Sequence, residues 1–177
     1  MYRALIAATA LTVLAGCRES AEQPASNVAA NAVAPATEAG VLGAAVSGDQ
    51  AKTLMHDRHE GMEDIGDAFK AAARWTKNEN RDFVEVREAA ATIARLAPQA
   101  SGWFPPGTGP DVDKTRAKAE IWQKPDDFAA KMKAFQAQAP KFAAAAQGND
   151  AAAVIAAHAE LGKTCKACHD DYRAPED

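Results

Sequence analysis

The sequence has little from which to build a sheet. Valine, isoleucine and threonine are thin and nowhere alternate with polar residues, and aromatics reach only 6%, while alanine is plentiful. Alanine loses no side-chain entropy in a helix, whereas strands draw on β-branched and aromatic residues. The composition favours an all-α protein. An excess of positive charge is also missing: 20 Lys and Arg stand against 24 Asp and Glu, a net charge of −4. No basic patch exists to neutralise phosphates, which argues against a nucleic-acid partner. Cysteine is scarce, at three in 177 residues, and no disulfide framework is needed. No paired carboxylate motif, nucleophile with a partner base, or phosphate loop is present, so no enzymatic activity is expected. The Asp170–Asp171 pair reads as a solvated helix edge.

What the chain does have begins with an address. Residues 1–17 read MYRALIAATALTVLAGC, with Arg3 before an apolar run from Ala4 to Leu14 and small residues before Cys17. The run is shorter than the about 20 residues that span a bilayer, and it fits a secretory signal peptide. Leu14-Ala15-Gly16-Cys17 resembles a bacterial lipobox, in which the cysteine is lipidated and becomes the new N-terminus. Acylation would explain an otherwise orphan thiol and anchor the protein to the membrane. The alternative is ordinary cleavage near Ala15–Gly16. Residues 18–48, rich in Ala, Ser, Asn and Pro and without an aromatic, read as a disordered tether.

From residue 49 onward the pattern is helical. Met55, Met62, Ile65, Phe69 and Ala72 form a stripe on a first helix running to about Lys77, with Asp49 as N-cap. Gly61 and Gly66 interrupt it, which suggests either close approach of something bulky or a loose core. A second helix, from about Arg81 to Ala97, carries Phe83, Val86, Ala90, Ile93 and Ala97, and Pro98 is expected to end it. A Pro- and Gly-rich loop, GWFPPGTGPD at 102–111, opens a connection that lasts to about Lys124. Pro125 starts a third helix with a stripe of Phe128, Met132, Phe135, Ala139, Phe142 and Ala146. Pro140 predicts a kink or an early end. Gly148 closes that helix, and Asn149 or Asp150 caps a fourth. The fourth bears Val154, His158, Leu161, Cys165, Cys168 and Tyr172 on one side. Four amphipathic helices, two of the links being very short, predict an antiparallel four-helix bundle over 49–177.

The chemistry lies in residues 164–173, TCKACHDDYR. C-x-x-C-H is the attachment signature of c-type haem. Two cysteines three apart on a helix project from nearly the same face and can reach two vinyl groups on one porphyrin edge. His169 then presents a ring nitrogen to the iron from the same side. A redox dithiol would need a βαβ setting, which is absent. A structural zinc site would need a second ligand pair; His56, His59 and His158 are available, but no second cysteine pair exists. The expectation is one covalent haem, with Cys165 and Cys168 as thioether anchors and His169 as the proximal iron ligand.

Residues 49–173 resemble cytochrome c′ and its low-spin relatives, the class II c-type cytochromes. The resemblance rests on CKACHDDYR at the C-terminus, on the loop WFPPGTG followed by KTRAKAEIW, and on RHEGMEDIG in the first helix. It implies a left-handed antiparallel bundle with the haem inside. It places Arg173 beside the proximal pocket, Arg58 near a propionate and Met62 over the opposite face of the iron. Trp103 and Phe104 resemble aromatics that cover the pocket, or else anchor the loop without touching haem. His56, His59 and His158 are expected to be ordinary polar or packed histidines, and Met55 core.

Met62 decides the subtype. A bound thioether gives a six-coordinate, low-spin iron and raises the potential; a methionine that only packs leaves it five-coordinate and high-spin. The first case implies a periplasmic one-electron carrier with a redox partner. The second implies a haem protein binding NO or CO for scavenging or sensing. Outside haem, the remaining expectation is a lipid-anchored zinc-binding or interaction module. Homodimers are common in the family.

Overall fold

The computed structural model describes residues 46, 48–79 and 81–175. The expected signal peptide, Cys17 and nearly all of the expected tether lie outside the described residues.

Four long helices form the body: α1 (Gly48–Lys77), α2 (Phe83–Ala100), α4 (Pro125–Gln147) and α5 (Ala151–Tyr172). A 3-10 turn at Ser101–Trp103 and a one-turn helix, α3 (Glu120–Gln123), punctuate the long connection. No strand occurs among the described residues; the one bridge pairs Ala117 with Arg173.

Local chemistry sets the turns. The Trp75 indole N–H donates to the Asp82 carbonyl at 2.8 Å, folding α2 back onto α1. Asp82 caps α2 by accepting from the Val84 N–H, and Asp150 caps α5 by accepting from Ala152 and Ala153. Links this short force antiparallel neighbours. Arg87 of α2 donates to the Ala146 carbonyl, while Gln136 of α4 donates to the Ala97 carbonyl. Because 87 meets 146 and 97 meets 136, α2 and α4 also run antiparallel. It follows that α1 and α5 are antiparallel too.

The core is the α2–α4 seam with the inner faces of the other helices. All six residues of the α4 stripe are buried, from Phe128 to Ala146. Val86, Ala90, Ile93 and Ala97 oppose them, and Phe142, Ile93, Val154 and Leu161 are wholly inaccessible. Burying a side chain of that size is worth about 1.5–3 kcal/mol.

Three boundaries differ from expectation. Helix α1 starts at Gly48, whose φ of +62° suits glycine, so Asp49 lies in the first turn rather than capping it. Pro98 does not end α2, which runs on to Ala100. The Gln136 amide serves the Ala97 and Pro98 carbonyls at 3.1 and 3.5 Å, so these helix-end acceptors are satisfied from α4. Nor does α4 end at Pro140: that residue is exposed, so its ring is turned away from the core, and the helix continues to Gln147.

The long connection is stapled at three places. Lys118 N–H donates to the Tyr172 carbonyl and Ala174 N–H to that of Arg116, which ties it to the end of α5. The Val46 N–H donates to the Pro106 carbonyl, so the chain is already docked two residues before α1. Gly107 permits this: its φ is +85°, and a β-carbon there would collide with the Val46 carbonyl oxygen. The third staple is Arg58.

Candidate haem site

Cys165, Cys168 and His169 occupy the last two turns of α5. Both cysteines are free thiols, half-buried, and packed against the hydrophobic core. Burial pushes both thiols up, Cys168 to about 11 despite the lowering influence of Lys131. Protonated, core-facing thiols are the opposite of an activated redox dithiol or a zinc thiolate pair. The one group of three metal-capable side chains among the described residues is His59, Glu60 and Glu63, on the exposed face of α1 and without a cysteine.

His169 keeps much of its surface in solvent. The rest of the ring is desolvated, and its basicity is held below the usual range first by that burial, then by the charges of Arg173 and Arg116. A neutral imidazole is the form that binds iron. Arg173 was expected beside this histidine. Arg116 was not, because it comes from the connection 57 positions before Arg173 and arrives only through the Ala117–Arg173 bridge.

The opposite wall is α1. Helices α1 and α5 meet around Phe69, His158 and Gly162. The Phe69 ring stacks on His158 with centroids 4.1 Å apart, and the His158 Nε2–H donates to the Phe69 carbonyl at 3.2 Å. Gly162 makes room, since a β-carbon there would sit 3.0 Å from Phe69 Cζ. From this contact Met62 lies seven residues back along α1, and His169 lies seven residues onward along α5. Seven residues is about 10 Å of helix. In antiparallel helices those steps run the same way, and the same count from His158 reaches Cys165, so Met62 lies on α1 opposite the Cys165–His169 stretch of α5. Met62 is half-buried against the core. Between Phe69 and Met62, a β-carbon at Gly66 would meet nothing within 4 Å.

This donor set fits a c-type haem. Cys165 and Cys168 would hold the ring and His169 one face of the iron, with Met62 on the wall facing the other side. When bound, the haem supplies one-electron iron chemistry.

The sequence profile described as Cytochrome C′ matches residues 53–173. The chain belongs to the cytochrome c′ family. It is 36% identical over 119 residues to a cytochrome c′ of Pararhodospirillum photometricum, covering 66% of this chain and 92% of the relative. It is equally similar, 36% over 119 residues, to a cytochrome c-556 of Agrobacterium tumefaciens, covering 66% and 94%. The fold matches the crystal structure of cytochrome c′ from Thermochromatium tepidum with a TM-score of 0.67 and 31% identity, over 75% of this chain and 100% of that one. Two further matches bear on ligands and assembly. One is a nitric oxide complex of a cytochrome c′ variant from Alcaligenes xylosoxidans (27% identity, TM-score 0.64, covering 71% and 97%). The other is a cytochrome c′ described by its ligand-controlled dimer dissociation (30%, 0.66, covering 73% and 100%). Membership of the cytochrome c′ family makes this chain a haem protein.

The remaining expected residues fall into place around this seam. Arg58 is buried and its basicity is lowered by that burial. Its guanidinium donates to the Thr108 hydroxyl and carbonyl at 3.1 and 3.0 Å, to the Thr115 hydroxyl at 3.1 Å, and to the Trp103 carbonyl. It also lies over the Phe104 ring, 5.1 Å from the centroid. Arg58 therefore clamps the connection to α1, a role that its position in the first helix did not announce. The outer edge of the Trp103 indole lies against Gly61, where a β-carbon would come within 2.5 Å of it. Gly61 is thus one glycine where something bulky does approach. Phe104 packs edge-on against Phe128, and Phe128 against Tyr172. Both aromatics anchor the loop. Met55 is core, His56 and His59 are exposed, and His158 is packed between Phe69 and Phe142.

Lys131 and Asp127 are site neighbours that the sequence did not single out. Lys131 pairs with Asp171 at 2.9 Å, and the Tyr172 hydroxyl donates to Asp127 at 2.5 Å. Burial and the adjoining carboxylate push the Tyr172 hydroxyl up to about 12. A spacing rule along α5 cannot find them, since they lie on α4 and only their partners Asp171 and Tyr172 lie on α5.

Proposed function

We propose that the protein is a one-electron carrier whose iron is bound by His169 on one side and Met62 on the other. The observation that carries this reading is that Met62, half-buried on α1, lies opposite the Cys165–His169 stretch of α5 across the seam. A ligand pair in place before and after electron transfer leaves little to rearrange. The chain's contribution is to hold the ring, exclude water and set the potential through ligand and burial. The mixed-charge groove beside the motif, with Lys118, Lys124 and Asp171 in its lining, offers a surface for a redox partner. We take the site of action to be the periplasm, where the maturation of c-type cytochromes takes place, with Cys17 as a lipid anchor. A Cys17→Ser variant would then leave the membrane fraction.

The nitric oxide complex of a family member favours a second reading, binding of NO or CO at an open iron face. Assembly as a homodimer fits either reading. Voltammetry of the wild type and Met62→Ala separates them. Loss of a thioether ligand lowers the potential. A potential unmoved by Met62→Ala sinks the carrier reading and leaves gas binding.

A further inference from the structure

We infer that Gly66 is the place where α1 is pared back so that the porphyrin can approach its backbone, and that it thereby sets how near the Met62 sulfur comes to the iron. The inference rests on the haem lying between α1 and α5, but not on whether Met62 binds.

Glycine inside a long helix is destabilising relative to alanine, so each one calls for a reason. Two helical glycines have one within the chain. Gly61 makes way for the Trp103 indole, and Gly162 for the Phe69 ring. Gly66 has none. Its φ is not in the left-handed region, and a β-carbon there would meet no atom within 4 Å. Yet it is half-buried rather than on the open face of α1. It sits four residues after Met62 and three before Phe69, on the stripe that turns toward α5. Counting from the Phe69–Gly162 contact, three residues back reaches Gly66 and three onward reaches Cys165. The same count from His158 reaches Leu161, so Gly66 lies opposite the Leu161–Cys165 turn of α5, one turn from Met62. A side chain at 66 would project into the space that a ring held at Cys165 needs. It would push α1 outward, and Met62, on the preceding turn, would move with it. Gly66 is a positioning residue that acts through Met62.

The test uses haem-loaded protein: wild type, Gly66→Ala, Gly66→Leu and Met62→Ala, each read by its reduced absorption spectrum, CO titration and melting temperature. The expected result is that Gly66→Leu changes the reduced spectrum and reaches half-saturation with CO at a concentration at least tenfold below that of the wild type. Gly66→Ala shifts it about threefold in the same direction and gains no thermal stability. A purely structural role would change the melting temperature and leave spectrum and CO affinity alone. If both Gly66 variants keep the wild-type spectrum and CO affinity, the inference is overturned, whether or not Gly66→Ala raises the melting temperature. If Gly66→Leu fails to take up haem, the Gly66→Ala titration decides. Met62→Ala reports separately: an unchanged spectrum there removes Met62 as a ligand, while a tenfold CO shift in Gly66→Leu would still uphold the role of Gly66.

Discussion

The two seams of this bundle differ in kind. Along α2 and α4, the facing residues Val86, Ala90, Ile93 and Ala97 meet Phe135, Ala139, Phe142 and Ala146 with no solvent between them. Along α1 and α5, the helices meet at Phe69, His158 and Gly162, and beyond that level the walls carry Gly66 and Met62 on one side and the two cysteines on the other. The first seam is finished by the chain's own side chains. The second carries the residues that we propose hold, ligate or make way for the haem. Stability and function are thus segregated, and variants in the two seams should report on different measurements.

The largest effect comes from removing the anchors. With Cys165→Ala and Cys168→Ala together, haem should be fully extractable by acidified solvent, whereas the wild type retains it. Retention in the double variant would contradict the assignment of both thioethers. Next in size is Phe142→Ala in the dry seam, which should cost about 3–5 kcal/mol in denaturant titration while the absorption spectrum at low denaturant stays as in the wild type. A spectral change there would blur the division between seams.

Arg58→Met comes third. It leaves the Thr108 and Trp103 carbonyls and two threonine hydroxyls without their donor. Loss of stability of about 1.5–3 kcal/mol is expected, with faster proteolysis in the 103–115 stretch. Uniform proteolysis along the chain would argue against the clamp.

His158 gives a smaller, pH-dependent effect at the boundary of the two seams. Burial between Phe69 and Phe142 holds its folded pKa below the ordinary value near 6.5, outweighing the raising influence of the hydrogen bond to the Phe69 carbonyl. A depressed histidine means that the unfolded chain takes up the proton first. The stability it protects is present above about pH 6.5 and falls away as pH drops from there toward the folded value. Denaturant titrations from pH 7.5 to 5.5 should show that loss, and a His158→Gln variant should flatten it. An unchanged slope in the variant would place the proton elsewhere. Smallest of all is Lys163→Ala on the exposed face of α5, whose pair with Glu160 should contribute under about 0.5 kcal/mol.

The dry seam was legible in the sequence almost residue by residue. The α4 stripe from Phe128 to Ala146 is a bare 3.6-residue periodicity, and burial against one neighbour is what that periodicity encodes. That Cys165, Cys168 and His169 share the end of one helix was legible for a similar reason, since their spacing is a helical one. Helix ends were less so. Neither Pro98 nor Pro140 stops its helix: Gln136 takes up the last carbonyls of α2, and Pro140 is exposed on α4. Arg116, Lys131 and the clamp around Arg58 were not legible at all. Each depends on which distant segment lands beside it, and nothing in local spacing carries that. Gly61 and Gly66 looked alike in the sequence, and only the structure separates one that seats Trp103 from one that faces open space.

The central claim is that the open seam ends in Met62 and His169 on facing walls, and that both bind the iron. The absorption spectrum of the reduced, haem-loaded protein, recorded before and after addition of CO, tests it most directly. Coordination by both residues gives a sharp low-spin α band that persists at CO concentrations saturating a five-coordinate haem. A broad high-spin spectrum that shifts when CO is added would contradict it.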